Sequence, residues 1–115
     1  MVFQLAASAE MLFTDKPFIW RVSEIHRLGY QVEIWDWTTK NLEELASTGA
    51  IFSSMTGYVR GDLITDQGRK DLIATAKDSL AAADIINCAR LNLHGTGLGS
   101  NGEALIQRTD VTPGE

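Results

Sequence analysis

The sequence has little cysteine, proline or histidine: Cys88 is the only cysteine among 115 residues, and there are two prolines and two histidines. One cysteine cannot form an intrachain disulfide, and it excludes metal sites that need a Cys-x-x-Cys pair. A chain without disulfides is typical of a reducing compartment, so we expect a cytoplasmic protein.

Basic residues are the minority, with ten Lys and Arg against fifteen Asp and Glu and a net charge of -5. Such a field repels phosphate backbones and anionic lipid, so we expect neither nucleic acid nor membrane as a partner. No apolar run approaches the roughly 18 residues of a membrane span. Ala7 and Ala9 imitate a signal-peptide cleavage pattern, but no Lys or Arg precedes the apolar run, so secretion is not expected.

What is present predicts one folded α/β domain over residues 1–115. Hydrophobic residues make up 44% and charged residues 22%, as in an ordinary globular protein. Short apolar or β-branched runs alternate with helical periodicity. The predicted strands span residues 2–7, 31–35, 50–54 and 90–94, and the predicted helices span 15–28, 41–49 and about five turns beginning at 66.

Strand and helix alternation of this kind implies parallel strands joined by crossovers. Half of a (β/α)8 barrel and a small doubly wound sheet both satisfy this order. Residues 95–115 are rich in Gly, Thr and polar residues and are interpreted as loop. They include Gly97 to Gly102, which match the dinucleotide fingerprint G-x-G-x-x-G, although no amphipathic helix opens at the third glycine.

Helix ends and faces follow from residue type. We expect Asp15, Asn41 and Asp66 to cap the three helices, and Gly29 and Gly49 to end the first two. The buried face of the third helix is predicted from helical spacing to comprise Leu72, Ile73, Ala76, Leu80 and Ala83.

Alternation within the second and fourth strands separates an outer, helix-covered face from an inner one. The predicted helix-facing residues are Val32, Ile34, Leu91 and Leu93. The predicted inward residues are Glu33, Trp35, Arg90, Asn92 and His94. In a barrel, inward polar residues near the carboxyl ends of strands converge on the site.

Four residues are the candidate substrate contacts, and each has a structural alternative. Glu33 is either a ligand-binding or acid/base carboxylate, or a structural partner of Arg90 or of backbone groups. Trp37 either packs against the C–H face of a small sugar or fills the core. Thr56 offers a hydroxyl beside the close-approach glycine Gly57, and His94 is a candidate hydrogen-bond donor, proton carrier or metal ligand. His26 is interpreted as a solvated or packing residue.

Three segments resemble the hydroxypyruvate isomerase branch of the sugar isomerase and epimerase (β/α)8 barrels. Residues 6–13 (Ala-Ala-Ser-Ala-Glu-Met-Leu-Phe) resemble the family's N-x-x-M-x-F segment, with Ser8 in place of the usual Asn. Residues 29–33 resemble G-[FY]-x-x-V-E, and residues 92–97 resemble the exit of strand four. Trp35-Asp36-Trp37 and residues 53–57 extend the resemblance over nearly the whole chain, which then corresponds to an N-terminal half, strands one to four.

The resemblance implies an isomerase of carbohydrate metabolism that interconverts hydroxypyruvate and tartronate semialdehyde through an enediolate. The family's two glutamates, often with a divalent metal, lie on strands five to eight. The catalytic residues are therefore unassigned here, and we expect this portion to bind no metal and to be inactive alone. We expect a small hydroxycarbonyl or sugar substrate, and self-association through open strand edges. The alternative is a non-catalytic, self-associating half barrel that binds a polyol, and a doubly wound nucleotide-binding domain ranks third.

Overall fold

The computed structural model describes residues 2–94, in which four parallel strands alternate with three α-helices. The elements in chain order are β1 (Ala6–Ser8), α1 (Phe18–Arg27), β2 (Gln31–Glu33), a 3-10 turn (Trp37–Thr39), α2 (Leu42–Ser47), β3 (Phe52–Thr56), α3 (Asp66–Ile86) and β4 (Leu91–Asn92). The predicted α/β class and the alternation of strands and helices are confirmed. No helix within residues 2–94 is long and apolar enough to cross a membrane.

The strands lie in the order β1-β2-β3-β4, which is also their order in the sequence. Every neighbouring pair is parallel, and one irregularity between Val32 and Glu33 leaves Ser53 without a partner on β2. Helix α2 packs on both α1 and α3. Strand order in doubly wound sheets reverses at a switch point where the ligand binds, and the described sheet has no such reversal.

The core fills the space between the sheet and the helices. Val32, Ile34 and Met55 are fully buried, and α1 contributes Val22 and Ile25. Burial of Val32 and Ile34 confirms that this side of β2 faces the helices. At roughly 1.5 to 3 kcal/mol per fully buried aliphatic side chain, this layer supplies much of the drive to fold.

Helix ends agree with the sequence in part. The Asn41 side chain accepts a hydrogen bond from the Glu44 amide at 3.2 Å, and Gly29 and Gly49 have φ values of 91° and 75°, as predicted. Asp15 does not cap α1, because the N-cap is Pro17, which has no side-chain acceptor.

Helix α3 begins one residue before the expected first helical position. Thr65, not Asp66, is its N-cap, because the Thr65 hydroxyl accepts the Gly68 amide at 2.9 Å. Asp66 is already helical. An N-cap side chain has to reach the amide two or three residues ahead, which Thr65 does from its extended backbone.

The predicted buried face of α3 is partly wrong. Leu72 and Ala83 are buried as expected, but Ile73 and Leu80 are 56% and 57% exposed. The face that meets the rest of the protein consists largely of small or polar residues, namely Gly68, Thr75, Ser79 and Ala82. Small side chains let a helix lie close to its neighbours. The prediction considered only the spacing of large apolar residues, and it therefore assigned part of the exposed face of α3 to the core.

All four strands differ from their predicted bounds. Strand β2 ends at Glu33 and not at residue 35, and β3 spans Phe52–Thr56 and not residues 50–54. Val2 and Phe3 are exposed and precede β1, and β4 ends at Asn92. Leu91 packs against the core as predicted, whereas Leu93 is 65% exposed. Leu93 was expected to pack beneath a helix, and no helix within residues 2–94 covers it.

Candidate functional site

Each of the four strands ends on a polar residue of the face opposite the helices: Ser8, Glu33, Thr56 and Asn92. Register places Ser8 beside Glu33, Glu33 beside Ser54, and Thr56 beside Asn92. Partners on adjacent parallel strands share a face, and Ser54 and Thr56 are two residues apart on β3. We call the row formed by Ser8, Glu33, Ser54, Thr56 and Asn92 the polar strand ends. Ligand sites of parallel sheets lie at the carboxyl ends of the strands.

Glu33 is the only acidic residue of this row, and it is half-buried. Its Oε1 accepts the indole N–H of Trp35 at 3.2 Å, and its Oε2 accepts the Ser54 hydroxyl at 3.3 Å. Two neutral donors hold the carboxylate in place, and no cationic side chain of residues 2–94 forms an ion pair with it. The remaining lone pairs are available to donors that approach from the open face.

The expected structural partner of Glu33 does not bond to it. Arg90 instead points Nη1 toward the backbone carbonyl of Ser53 at 3.5 Å. The ion pairs found within residues 2–94 do not include Glu33. Of the structural interpretations, pairing with Arg90 is therefore wrong, and the two hydrogen bonds that the Glu33 carboxylate accepts come from the side chains of Trp35 and Ser54.

A buried ion pair links the loops that follow β1 and β2. Lys40 Nζ lies 2.8 Å from Glu10 Oε1, and their side chains are only 9% and 17% exposed. The same Glu10 oxygen accepts the Trp35 amide at 3.0 Å, and Lys40 sits 4.6 Å from the centre of the Phe18 ring. Glu10 thus fixes the backbone where β2 leaves the sheet, one residue beyond Ile34.

Arg21 of α1 holds the loop between β1 and α1 through hydrogen bonds to its backbone carbonyls. Its guanidinium donates three hydrogen bonds to backbone carbonyls: from Nε to Lys16 at 2.8 Å, from Nη2 to Thr14 at 2.9 Å and from Nη1 to Ala9 at 3.3 Å. One planar group with five N–H donors can serve several acceptors at once. Sequence reasoning missed Arg21, Glu10 and Lys40, because their partners are distant in sequence or are backbone atoms. The one available signal was their position near the carboxyl ends of strands.

Thr56 is the last residue of β3, two residues beyond the predicted end of that strand, and it precedes the closely packed Gly57. The Gly57 amide donates to the Asn92 carbonyl at 2.9 Å, and a Cβ at this position would meet that oxygen at 2.5 Å. The prediction that Gly57 permits a close approach is confirmed. Thr56 keeps its hydroxyl on the open face beside Asn92.

His94 follows two residues after Asn92 and packs against Tyr58. The two rings meet edge to face with centroids 5.0 Å apart, and the Tyr58 hydroxyl donates to the His94 carbonyl. Within the described part of the chain, the buried Nδ1 of His94 has no hydrogen-bond partner. Burial raises the pKa of Tyr58, so its phenol is the neutral donor that this bond requires.

Trp37 lies among residues that pack against the core. Its indole N–H donates to the Ser79 hydroxyl of α3 at 2.9 Å. This arrangement favours the core-filling interpretation, because the only polar group of the side chain is already engaged. The four predicted contacts are therefore not one cluster: Glu33 joins Trp35 and Ser54, while Trp37 joins α3.

A second carboxylate shapes the loop between β3 and α3. The buried side chain of Asp62 accepts the amides of Thr65 and Ile64 at 2.7 and 2.8 Å. These backbone hydrogen bonds, above all that from Thr65, hold the pKa of Asp62 below its ordinary value of 3.8. Gly68 permits this, since a Cβ there would meet Asp62 Oδ2 at 2.1 Å. Asp62 organises a loop and is not part of the polar strand ends.

No group of three or more His, Cys, Asp or Glu side chains suited to a metal ion occurs within residues 2–94. The glycine run Gly97 to Gly102 lies outside the described residues. No protein-family model, curated protein or solved structure matches the chain. The resemblance drawn from the sequence therefore stays a prediction.

Proposed function

We propose that the chain is the first half of a (β/α)8 barrel of the sugar isomerase and epimerase type, and that its polar strand ends bind a small hydroxycarbonyl compound or polyol. The observation that carries the proposal is the coincidence of sequential parallel strand order with a polar residue at every strand end. Barrel enzymes assemble their sites from such positions on several strands.

The chemistry of the row supports a hydroxyl-bearing ligand. Ser8, Ser54 and Thr56 offer hydroxyls, Asn92 offers an amide, and Glu33 offers a fixed acceptor. Such groups can hold a small polyol through several hydrogen bonds in alternating directions. The net charge of -5 and the unreversed order of the four described strands favour this ligand class over a nucleotide.

The reaction proposed for the complete enzyme is the interconversion of hydroxypyruvate and tartronate semialdehyde in the cytoplasm. A base moves a proton between neighbouring carbons while a second group or a divalent metal stabilises the enediolate. These groups belong to strands five to eight, so residues 2–94 supply substrate contacts and not the catalytic pair. Glu33 is proposed as a binding residue.

The alternative is a half barrel that binds a polyol without turnover and associates with further copies. The observation that favours it is that, among the strands of residues 2–94, β1 and β4 each have a neighbour on one side only. Open strand edges are templates for association.

A titration of the uniformly ¹⁵N-labelled chain with hydroxypyruvate tests the binding proposal. We expect amide shifts at Ser8, Glu33 and Thr56, and weaker binding after Glu33→Gln. The matched control is Glu43→Gln, an exposed glutamate on α2. Shifts confined to α2 or α3, or equal affinity in both variants, would contradict the proposal.

Turnover is tested separately, on the chain alone and on the chain joined to the strands that complete its barrel. We expect no conversion of hydroxypyruvate by the chain alone and metal-dependent conversion by the completed barrel. A completed barrel that binds hydroxypyruvate and never converts it, with or without divalent metal, would favour the non-catalytic alternative.

A further inference from the structure

We propose that two copies of this chain associate so that β1 of each copy pairs with β4 of the other, and eight parallel strands close into one ring. The inference rests on the half-barrel fold in the proposed function and specifies both the partner and the surfaces. It begins with the two outer edges of the sheet.

No strand of the described residues 2–94 pairs with the outer edge of β1. Leu5 O and Ala9 N bond to Gln31 N and Glu33 O of β2, both at 3.0 Å. Backbone groups alternate in direction along a parallel strand, so those of Ala6, between these positions, point away from β2. A strand neighbour on that side could bond to Ala6 without disturbing the existing ladder.

The outer edge of β4 has the complementary form. The amides of Met55 and Gly57 donate to the carbonyls of Arg90 and Asn92 at 3.2 and 2.9 Å. By the same alternation, the N–H and C=O of Leu93 point away from β3. All four strands run in the same direction. In the assembly, β4 of one copy can therefore lie beside β1 of the other copy as a parallel pair, just as β1 lies beside β2 within one copy.

Apolar side chains are exposed beside β1 and on α3. An apolar groove of about 320 Å³ runs beside β1 and α1, lined by Leu5, Leu12, Phe13, Ile25, Leu28 and Tyr30. On α3, Ile73 and Leu80 lie seven residues apart on one flank of the helix, and both are more than half exposed. Packing the α3 flank of one copy into the α1 groove of the other covers both surfaces.

A second copy fits these surfaces because the two edges differ from each other. A two-fold arrangement of two copies forms two identical junctions, each between β1 of one copy and β4 of the other. The ring is then closed, and no strand edge of the two sheets is left unpaired. Four strands from each copy make eight, the number at which a barrel interior is just filled by side chains. The polar strand ends of both copies then face one interior.

Two proline variants test the assembly, because proline removes the outward N–H of an edge strand. We expect light scattering to find a dimer for the wild type, and a monomer for Ala6→Pro and for Leu93→Pro. Mixing the two variants should restore a heterodimer, since the β1 of one and the β4 of the other are intact. Circular dichroism of each variant checks that the monomer is folded.

Cysteine cross-linking gives a second readout that needs no proline. Ala6 and Asn92 lie on the open face at opposite edges. In a Cys88→Ser background, a short bismaleimide should join an Ala6→Cys chain to an Asn92→Cys chain. Neither variant should cross-link with itself.

Three outcomes would overturn the assembly. A wild type that stays monomeric over a wide concentration range assigns the edges to another segment or to no partner. Self-cross-linking of Ala6→Cys indicates pairing of like edges, and a dimer that survives both prolines places the interface elsewhere. Hydroxypyruvate titration of the same samples separates the two proposals. Amide shifts at Glu33 in a monomer would contradict only the proposed dimer. A cross-linked dimer that shows no shifts would contradict only the proposed ligand binding.

Discussion

Lys40 Nζ lies 2.8 Å from Glu10 Oε1, and this contact joins the loop after β1 to the loop after β2. Both side chains are mostly buried, and Glu10 also accepts the Trp35 amide. The pair therefore positions the backbone next to Glu33 without touching the carboxylate itself. It is a structural support for the polar strand ends.

Removing one partner of this pair should destabilise the protein more than removing both. Lys40→Met leaves a buried carboxylate without its cation, and Glu10→Gln leaves a buried ammonium. Because the pair is partly exposed, we expect each single change to cost roughly 1 to 3 kcal/mol, between the values for surface and buried pairs. Urea denaturation of the two single variants and the double variant measures the coupling, and additive effects would contradict it.

Asp62 should make stability depend on pH in a defined direction. Its pKa is lowered in the folded state, so its contribution is present above about 3.8 and is lost as pH falls through the folded value. We expect Asp62→Asn to melt at a lower temperature than the wild type at pH 7, with the difference narrowing as the pH falls below 3.8 and through the lowered pKa of Asp62. Asp78→Asn, an exposed change on α3, is the control. A constant difference at all pH values would refute the linkage.

The hydrogen bond between Trp37 and Ser79 separates the core interpretation of Trp37 from the ligand interpretation. Ser79→Ala leaves a half-buried indole N–H without this partner, at a cost of about 1 kcal/mol. Trp37→Phe in the same background should cost less than in the wild type. Both variants should bind hydroxypyruvate normally if Trp37 belongs to the core, whereas Trp35→Phe should weaken binding through Glu33.

Gly57 and Gly29 are expected to respond to alanine for different reasons. A Cβ on Gly57 would meet the Asn92 carbonyl oxygen at 2.5 Å, so Gly57→Ala must separate β3 from β4. Gly29 has a φ of 91° and open space around it, so Gly29→Ala costs only the roughly 1 to 2 kcal/mol of a left-handed backbone. Hydrogen exchange at the backbone amide of residue 57 should be faster than in the wild type in the Gly57→Ala variant and unchanged in the Gly29→Ala variant.

The sequence was informative wherever one residue type permits one conformation or one environment. Gly29, Gly49 and Asn41 marked helix ends because few residues take left-handed backbone or cap an amide. Val32 and Ile34 marked a buried strand face. Glu33 was predicted within a strand spanning residues 31–35 and Thr56 just beyond one ending at residue 54, whereas each is the last residue of its strand.

What the sequence did not show depends on distances between remote segments. The buried face of α3 carries small residues, and no periodicity of large apolar side chains reveals how closely a helix packs. The Glu10 and Lys40 pair needs two loops to meet. Trp37 could be assigned to ligand or core only after Ser79 was seen beside it.

The two donors that hold Glu33 also set which part of a ligand can approach it. Trp35 and Ser54 anchor the carboxylate without neutralising it, so an incoming carboxylate or phosphate would meet electrostatic repulsion there. A hydroxyacid would therefore have to enter with its alcohol end first and its acid group turned away. Under the proposed function, the row would select the orientation of a ligand as well as its class.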